Sequence, residues 1–182
     1  IVAAICALHC IKQQLQVALM APTEILAEQH QQAFKQWLRP FGIEVGLLVS
    51  KTPAAVKNKL LEDIASGSIS MVIGTHALIQ DAVHYSSLGL IIIDEQHRFG
   101  VNQRKLLKHK RDDGFAVHQL VMSATPIPRT LAMTFYADLD YSIIDELPPG
   151  RTVIETVALS SDKRPQVIER VHNACNEGRQ VY

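Results

Sequence analysis

Leu90-Ile91-Ile92-Ile93-Asp94-Glu95-Gln96-His97 is the stretch whose reading decides the fold. Four apolar residues, three of them β-branched, predict a short strand buried on both faces, as in a parallel sheet. Two carboxylates follow with no turn residue between them and the strand. In open α/β sheets ligands bind beyond the carboxyl ends of the strands, so this pair falls where chemistry is done. Asp94, at the strand tip, is placed to hold a divalent cation, directly or through its water shell. Glu95, one residue on, is free to orient or deprotonate a water, the division of labour that metal-assisted phosphoryl transfer needs. The plainer reading is a strand that ends in two solvated acids. Four apolar residues followed by Asp-Glu arise by chance in about 3% of chains of this length, so the surrounding sequence must decide.

Upstream, strands and helices alternate. The spacing predicts a helix over 1–15 with Val2, Ile5, Leu8 and Ile11 on one side, then a strand over 17–20 that ends at Ala21-Pro22-Thr23. A helix is predicted over 24–38, burying Ile25, Leu26, Ala33, Phe34, Trp37 and Leu38. Thr23 is a natural N-cap for it; alternatively, its hydroxyl and the helix N-terminus face outward and grip a phosphate. A strand follows over 45–49. Thr52-Pro53 then opens a helix to residue 66, cap followed by first-turn proline, with Val56, Leu60, Leu61 and Ile64 inward and Lys51, Lys57 and Lys59 as its solvated face. The next strand, 70–73, ends at Gly74-Thr75-His76. This places a second threonine at a strand tip, and His76 reads as a packed surface histidine or a ligand.

Downstream of the doublet, Arg104, Lys105, Lys108, His109, Lys110 and Arg111 read as a solvated helix face or a patch for the DNA backbone. A strand over 119–122 leads into Ser123-Ala124-Thr125-Pro126, a third hydroxyl-bearing strand tip. A helix over 129–137 and a strand over 141–144 close this unit. Leu147-Pro148-Pro149-Gly150-Arg151 then continues neither helix nor sheet and reads as a linker. Beyond it, 152–159 alternates as a strand, and 164–177 is an amphipathic helix with Val167, Ile168, Val171 and Cys175 on one face and Gly178 as its cap. The division is therefore a first domain over 1–146, a linker over 147–151 and the beginning of a second domain over 152–182. A first helix without a cap and a last strand that does not finish read as a piece of a longer protein.

The 182 residues carry 18 basic and 18 acidic side chains, so no global field announces a nucleic-acid partner, and binding must come from local patches. Cys6, Cys10 and Cys175 are an odd count, as expected of reduced thiols in the cytoplasm. Cys6, His9 and Cys10 could be imagined as metal ligands, but no further ligand cluster accompanies them. No apolar run approaches the ~20 residues that span a bilayer, and the start has no signal-peptide pattern.

Ala21-Pro22-Thr23-Glu24, Gly74-Thr75-His76, Asp94-Glu95-Gln96-His97 and Ser123-Ala124-Thr125, in this order, resemble motifs Ia, Ib, II and III of the superfamily 2 helicases. Asp-Glu-Gln-His-Arg-Phe-Gly, Ser-Ala-Thr-Pro-Ile-Pro-Arg-Thr and Leu-Pro-Pro-Gly-Arg are most similar to its bacterial branch that remodels stalled replication forks and recombination junctions. The transcription-repair coupling translocases are the nearest alternative. The resemblance implies a RecA-like parallel sheet with helices on both faces, of the P-loop NTPase type, and the start of a second such domain. It implies ATP and Mg2+ as cofactors, forked or branched duplex DNA as partner, a monomer, and a bacterial cytoplasmic location without a membrane. By the same resemblance Asp94 would bind Mg2+ with the nucleotide and Glu95 would position the attacking water. Gln96 and His97 would sense the nucleotide, and Ser123 and Thr125 would link hydrolysis to domain movement. Thr23, Thr75 and His76 would touch the DNA backbone. The family's phosphate-cradling G-x-x-x-x-G-K-[ST] is found nowhere in these residues, so this chain alone is not expected to hydrolyse ATP. Two other classes stay open: an unrelated doubly wound binding or redox domain, which would need a glycine-rich fingerprint after a strand, and a non-catalytic module that binds DNA or a partner through the same rim.

Overall fold

Among the described residues five parallel strands lie in the order β2-β3-β1-β4-β5, where β1 is Gln16–Met20, β2 Val45–Leu48, β3 Met71–Gly74, β4 Leu88–Asp94 and β5 His118–Met122. This is a computed structural model, and it describes residues 1–95, 116–124, 140, 142–146, 150 and 154–182. The fold is the RecA-like parallel sheet that the resemblance implies, with a core on each face. The described residues fall into two compact units, Ile1–Thr134 and Phe135–Tyr182; of the expected linker over 147–151 only residue 150 is among the described residues.

Period-two alternation divides the strand side chains between two cores. Val17, Leu19, Met71, Ile73, Leu90 and Ile92 face helices α1 (Val2–Lys12) and α2 (Glu24–Leu38). Ala18, Met20, Val72, Ile91 and Ile93 face helix α3 (Ala54–Ser66) and the 3-10 turn His76–Ile79. β4 is thus buried on both faces, as its unbroken apolar run predicts. One irregularity resets the alternation: β1 pairs Gln16 with Leu88 but Val17 with Leu90, so Gly89 is an extra residue, and Leu88 joins the same core as Ile91 and Ile93. A side chain at Gly89 would stand 2.7 Å from Cδ1 of Leu15, which is why the bulge takes glycine.

The helices turn differently from the sequence expectation. On α1 the buried stripe is Ala3, Ala4, Ala7 and Ile11, while Val2 and Ile5 are exposed. Small residues let the first turns of the helix approach the sheet closely, and Val2 and Ile5 are left outside. On α2 the buried residues are Ala27, Phe34 and Leu38; Ile25 and Trp37 are exposed. Ile25 sits two positions from Ala27, about 200° around the helix, so both cannot face inward. On α3, Leu60 and Ile64 are buried and Val56 is exposed. Thr52 does not cap α3 either. Pro53 occupies the N-cap position, and Oγ1 of Thr52 accepts from N–H of Val49 at 3.1 Å. Lys51 belongs to no solvated helix face: it precedes α3, and its Nζ lies 2.9 Å from Glu28 and 3.5 Å from Glu24 on α2.

Gln16 fastens the entry to the sheet. Its buried amide donates to the carbonyls of Ile64 and Ile69, both at 2.8 Å, and its oxygen accepts from N–H of Ser87 at 3.0 Å. Tyr85 is the opposite case, because its buried hydroxyl has no hydrogen-bond partner among the described residues. Burial pushes this phenol well above its ordinary value, since the phenolate would lose its hydration. An unfolded tyrosine releases its proton near pH ~10, so above that pH the unfolded state binds fewer protons and stability falls. Tyr85→Phe removes both the orphaned hydroxyl and this alkaline loss. Its melting temperature is expected to equal or exceed that of the wild type at pH 7, and the gap should widen at pH 11. A lower melting temperature at both pH values would show that the hydroxyl has a partner that matters.

In the second unit the helix Arg164–Asn176 forms as expected and ends in a Schellman closure, N–H of Gly178 to the carbonyl of Cys175 and N–H of Arg179 to that of Ala174, both 3.0 Å. Gly178 takes φ +81°, the left-handed position that favours glycine. Two expected strands do not form among the described residues. Residues 142–145 and 154–159 have no strand pairing, and Ile143 and Ile144 are 65% and 86% exposed. A strand exists only where a neighbour takes its N–H and C=O groups, and none of the described residues of this unit supplies one. The basic run over 104–111 and the helix expected over 129–137 lie outside the described residues.

Candidate functional site

The strand registers place the expected site residues on one edge. Leu48 pairs with Gly74, Gly74 with Met20, Met20 with Ile93, and Ile93 with Val121, one position before Asp94 and Met122. These residues form one row across the sheet at its carboxyl ends. Whatever follows each strand therefore emerges on the same side: Ala21-Pro22-Thr23 after β1, Thr75-His76 after β3, Glu95 after β4 and Ser123 after β5. Four segments far apart in sequence meet there because the strands of this sheet are parallel, so their carboxyl ends point the same way.

Asp94 ends β4, half-buried, and its Oδ2 lies 2.7 Å from Nε2 of His30 on α2. Glu95 leaves the strand with φ +50°, a left-handed conformation that costs a non-glycine residue roughly 1 kcal/mol or more. Bonds to the β5 segment hold it there: its N–H donates to the carbonyl of Met122 at 3.0 Å, and its Oε2 accepts from Oγ of Ser123 at 3.3 Å. The sharp turn separates the directions of the two carboxylates, and the Ser123 bond joins the segment after β4 to that after β5.

Thr23 is the N-cap of α2, its Oγ1 accepting from N–H of Leu26 at 3.3 Å. It is exposed, and accepting that bond leaves the hydroxyl hydrogen available to a further acceptor. Thr75 reaches the same edge by its backbone, with N–H donating to the carbonyl of Leu48 at 3.3 Å, but its side chain is buried and Oγ1 has no partner among the described residues. His76, next to it, is exposed. Gln96, His97 and Thr125 lie outside the described residues.

The donor set is chemically suited to a hard divalent cation. Asp94 and Glu95 bring carboxylate oxygens to a sheet edge, and Oδ1 of Asp94 has no hydrogen bond among the described residues. No group of three or more His, Cys, Asp or Glu able to enclose a metal by themselves occurs among the described residues, so a cation here would keep water or substrate oxygens in its shell. Cys6, His9 and Cys10 form no such group, and no disulfide joins Cys6, Cys10 or Cys175 to another described residue. None of the described helices is long and apolar enough to cross a membrane.

Sequence reasoning missed His30. The signal was present: His30 is three residues after Ala27 and four before Phe34, both buried, so an imidazole sits on the inward stripe of α2. Lys51 was also misplaced. Its ammonium is held above the ordinary lysine range, chiefly by the hydrogen bond and charge of Glu28, and it clasps the first turns of α2.

Comparison with known proteins follows the same line. The DEAD/DEAH box helicase family matches residues 1–134. Over its whole length the chain is 60% identical to the ATP-dependent DNA helicase RecG of Haemophilus influenzae and 57% identical to that of Escherichia coli K12, covering 27% of each. The chain thus spans about a quarter of the length of these curated relatives. A solved structure described as RecG bound to a three-way DNA junction superposes on 97% of this chain and 23% of its own, with a TM-score of 0.83 at 43% identity.

Proposed function

Because the chain belongs to the DEAD/DEAH box helicase family, we propose that it is the part of an ATP-dependent DNA helicase that carries the metal-holding carboxylate, the water-positioning carboxylate and the rim toward DNA. One observation carries the reading: the acidic doublet and the three hydroxyl-bearing turns emerge from one edge of one parallel sheet. The proposed substrate is branched duplex DNA, stalled forks and recombination junctions included. Similarity to proteins named as RecG, one of them described on a three-way junction, supports it.

Mg2+ bound with the triphosphate would neutralise charge on the phosphates and polarise the bond to be broken. Toward it, Asp94 offers Oδ1 while His30 holds Oδ2. Glu95, fixed by Met122 and Ser123, is the group that orients water, and its strained backbone suits a side chain that must point away from Asp94. Ser123, and Thr125 beside it in sequence, would pass a change at Glu95 to the segment after β5. Gln96 and His97 are assigned to nucleotide sensing. Thr23 and His76 would contact phosphates directly; a contact through the hydroxyl of Thr75 requires the residues that cover it to move. Contacts of this kind read no bases, which suits travel along any sequence and needs no surplus of positive charge. Since the phosphate-cradling loop is absent from these residues, they supply the carboxylates and not the cradle. The protein is proposed to act as a monomer in the bacterial cytoplasm.

Steady-state ATP hydrolysis by the full-length protein tests this. Forked DNA should stimulate turnover well above unbranched duplex of equal length, and the DNA concentration for half-maximal stimulation should rise steeply with salt, as phosphate contacts require. Equal stimulation by fork and duplex would remove the branched substrate. No stimulation by either would remove the motor.

A further inference from the structure

Helix α2 reaches into the carboxylate site through one side chain. Nε2 of His30 lies 2.7 Å from Oδ2 of Asp94, although 64 residues separate them. The ring and the carboxylate are 26% and 19% exposed, so most of their surroundings are protein. In such a setting a hydrogen bond is stronger than on an open surface. A carboxylate oxygen only accepts, so Nε2 carries the hydrogen. No other hydrogen bond to the Asp94 carboxylate occurs among the described residues. Its rotamer therefore depends on His30. The same helix carries Thr23 at its N-terminus, and His30 lies seven residues on, two turns along.

We propose that His30 is a positioning residue for the metal-holding carboxylate: it ties Oδ2 of Asp94 to α2 and so presents Oδ1 to the cation, making the geometry of the metal site depend on the placement of the helix whose first residues face the DNA rim. The inference rests on the reading of Asp94 as the metal-holding group. His30 touches neither nucleotide nor water in this account; it acts only through Asp94. Partners of this kind are worth roughly 10–100-fold in metal affinity where they orient a ligand.

The test uses the full-length protein and a fluorescent, non-hydrolysable ATP analogue, titrated with Mg2+ at fixed analogue concentration. His30→Ala should raise the Mg2+ concentration for half-maximal Mg2+-dependent binding by about tenfold or more, while analogue binding without Mg2+ stays within twofold of wild type. His30→Gln, whose amide nitrogen can reach toward Oδ2, should restore most of the lost Mg2+ affinity. Mg2+ dependence of His30→Ala within twofold of wild type, alongside a large shift in Asp94→Asn, overturns the role of His30 and leaves Asp94 in place. Equal shifts in His30→Ala and His30→Gln also overturn it, since they would report lost packing and not a lost donor. An unshifted Asp94→Asn overturns the reading of Asp94 itself, and the inference with it. The Gln variant keeps the test open should the Ala variant fail to fold.

Discussion

Glu95→Gln in the full-length protein is expected to bind ATP within a few-fold of wild type while its DNA-stimulated turnover drops by about 10²–10⁴-fold, the usual worth of a positioned acid or base. The structure gives the substitution unusual clarity. Glutamine has the size of glutamate and keeps an oxygen that accepts from Oγ of Ser123 at the 3.3 Å position. It also leaves the backbone bond from N–H of residue 95 to the carbonyl of Met122 untouched. The left-handed turn at φ +50° should therefore survive, and what is removed is the negative charge and proton affinity of the carboxylate. The split between binding and turnover is the readout, taken from single-turnover hydrolysis and equilibrium nucleotide binding on one preparation. Wild-type turnover would take Glu95 out of the mechanism. A parallel loss of binding would show that Glu95 holds the nucleotide instead of acting on water.

The second large effect is structural. A methyl group at Gly74 would stand 2.1 Å from the carbonyl oxygen of Leu48 and 3.0 Å from Cγ of Leu78. That oxygen belongs to the backbone of β2, which pairs with Gly74 itself, so it cannot move without breaking the ladder. Gly74→Ala should destabilise this domain by about 3 kcal/mol, the upper end for overpacking, which corresponds to a fall of about 6–12 °C in melting temperature for a domain of this size. Gly42→Ala is the control. Gly42 also has a positive φ, +69°, but nothing lies within 4 Å of the added methyl, so only backbone strain of roughly 1 kcal/mol remains. Equal melting temperatures for the two variants would mean that the β2–β3 edge yields more easily than its backbone contacts imply. Because Thr75 follows Gly74 directly, the first variant should also weaken DNA stimulation of whatever protein stays folded.

How much of this was legible beforehand depends on the range of the interactions involved. The run Leu90 to Ile93 announced a strand covered on both sides, and Leu90 and Ile92 do face one core while Ile91 and Ile93 face the other. The helix over Glu24–Leu38 could be read to the residue, since cap, periodicity and Arg39-Pro40 all act within a turn or two. Which way that helix faces could not. Apolar Ile25 and Trp37 lost the inward side to Ala27, Phe34 and Leu38, because close packing on the sheet selects by shape as well as by hydrophobicity. The described parts of the expected strands, 142–144 and 154–159, are unpaired for a related reason: alternation marks a segment able to pair, and pairing needs a neighbour.

By itself the sequence determined the alternation of elements and the acidic doublet at a strand tip, because these follow from forces between residues a few positions apart. Only the tertiary structure decided the strand order, the burial of the Thr75 side chain and the bond between His30 and Asp94. Each of those depends on how distant segments are brought into register across parallel strands, and no local periodicity encodes that distance.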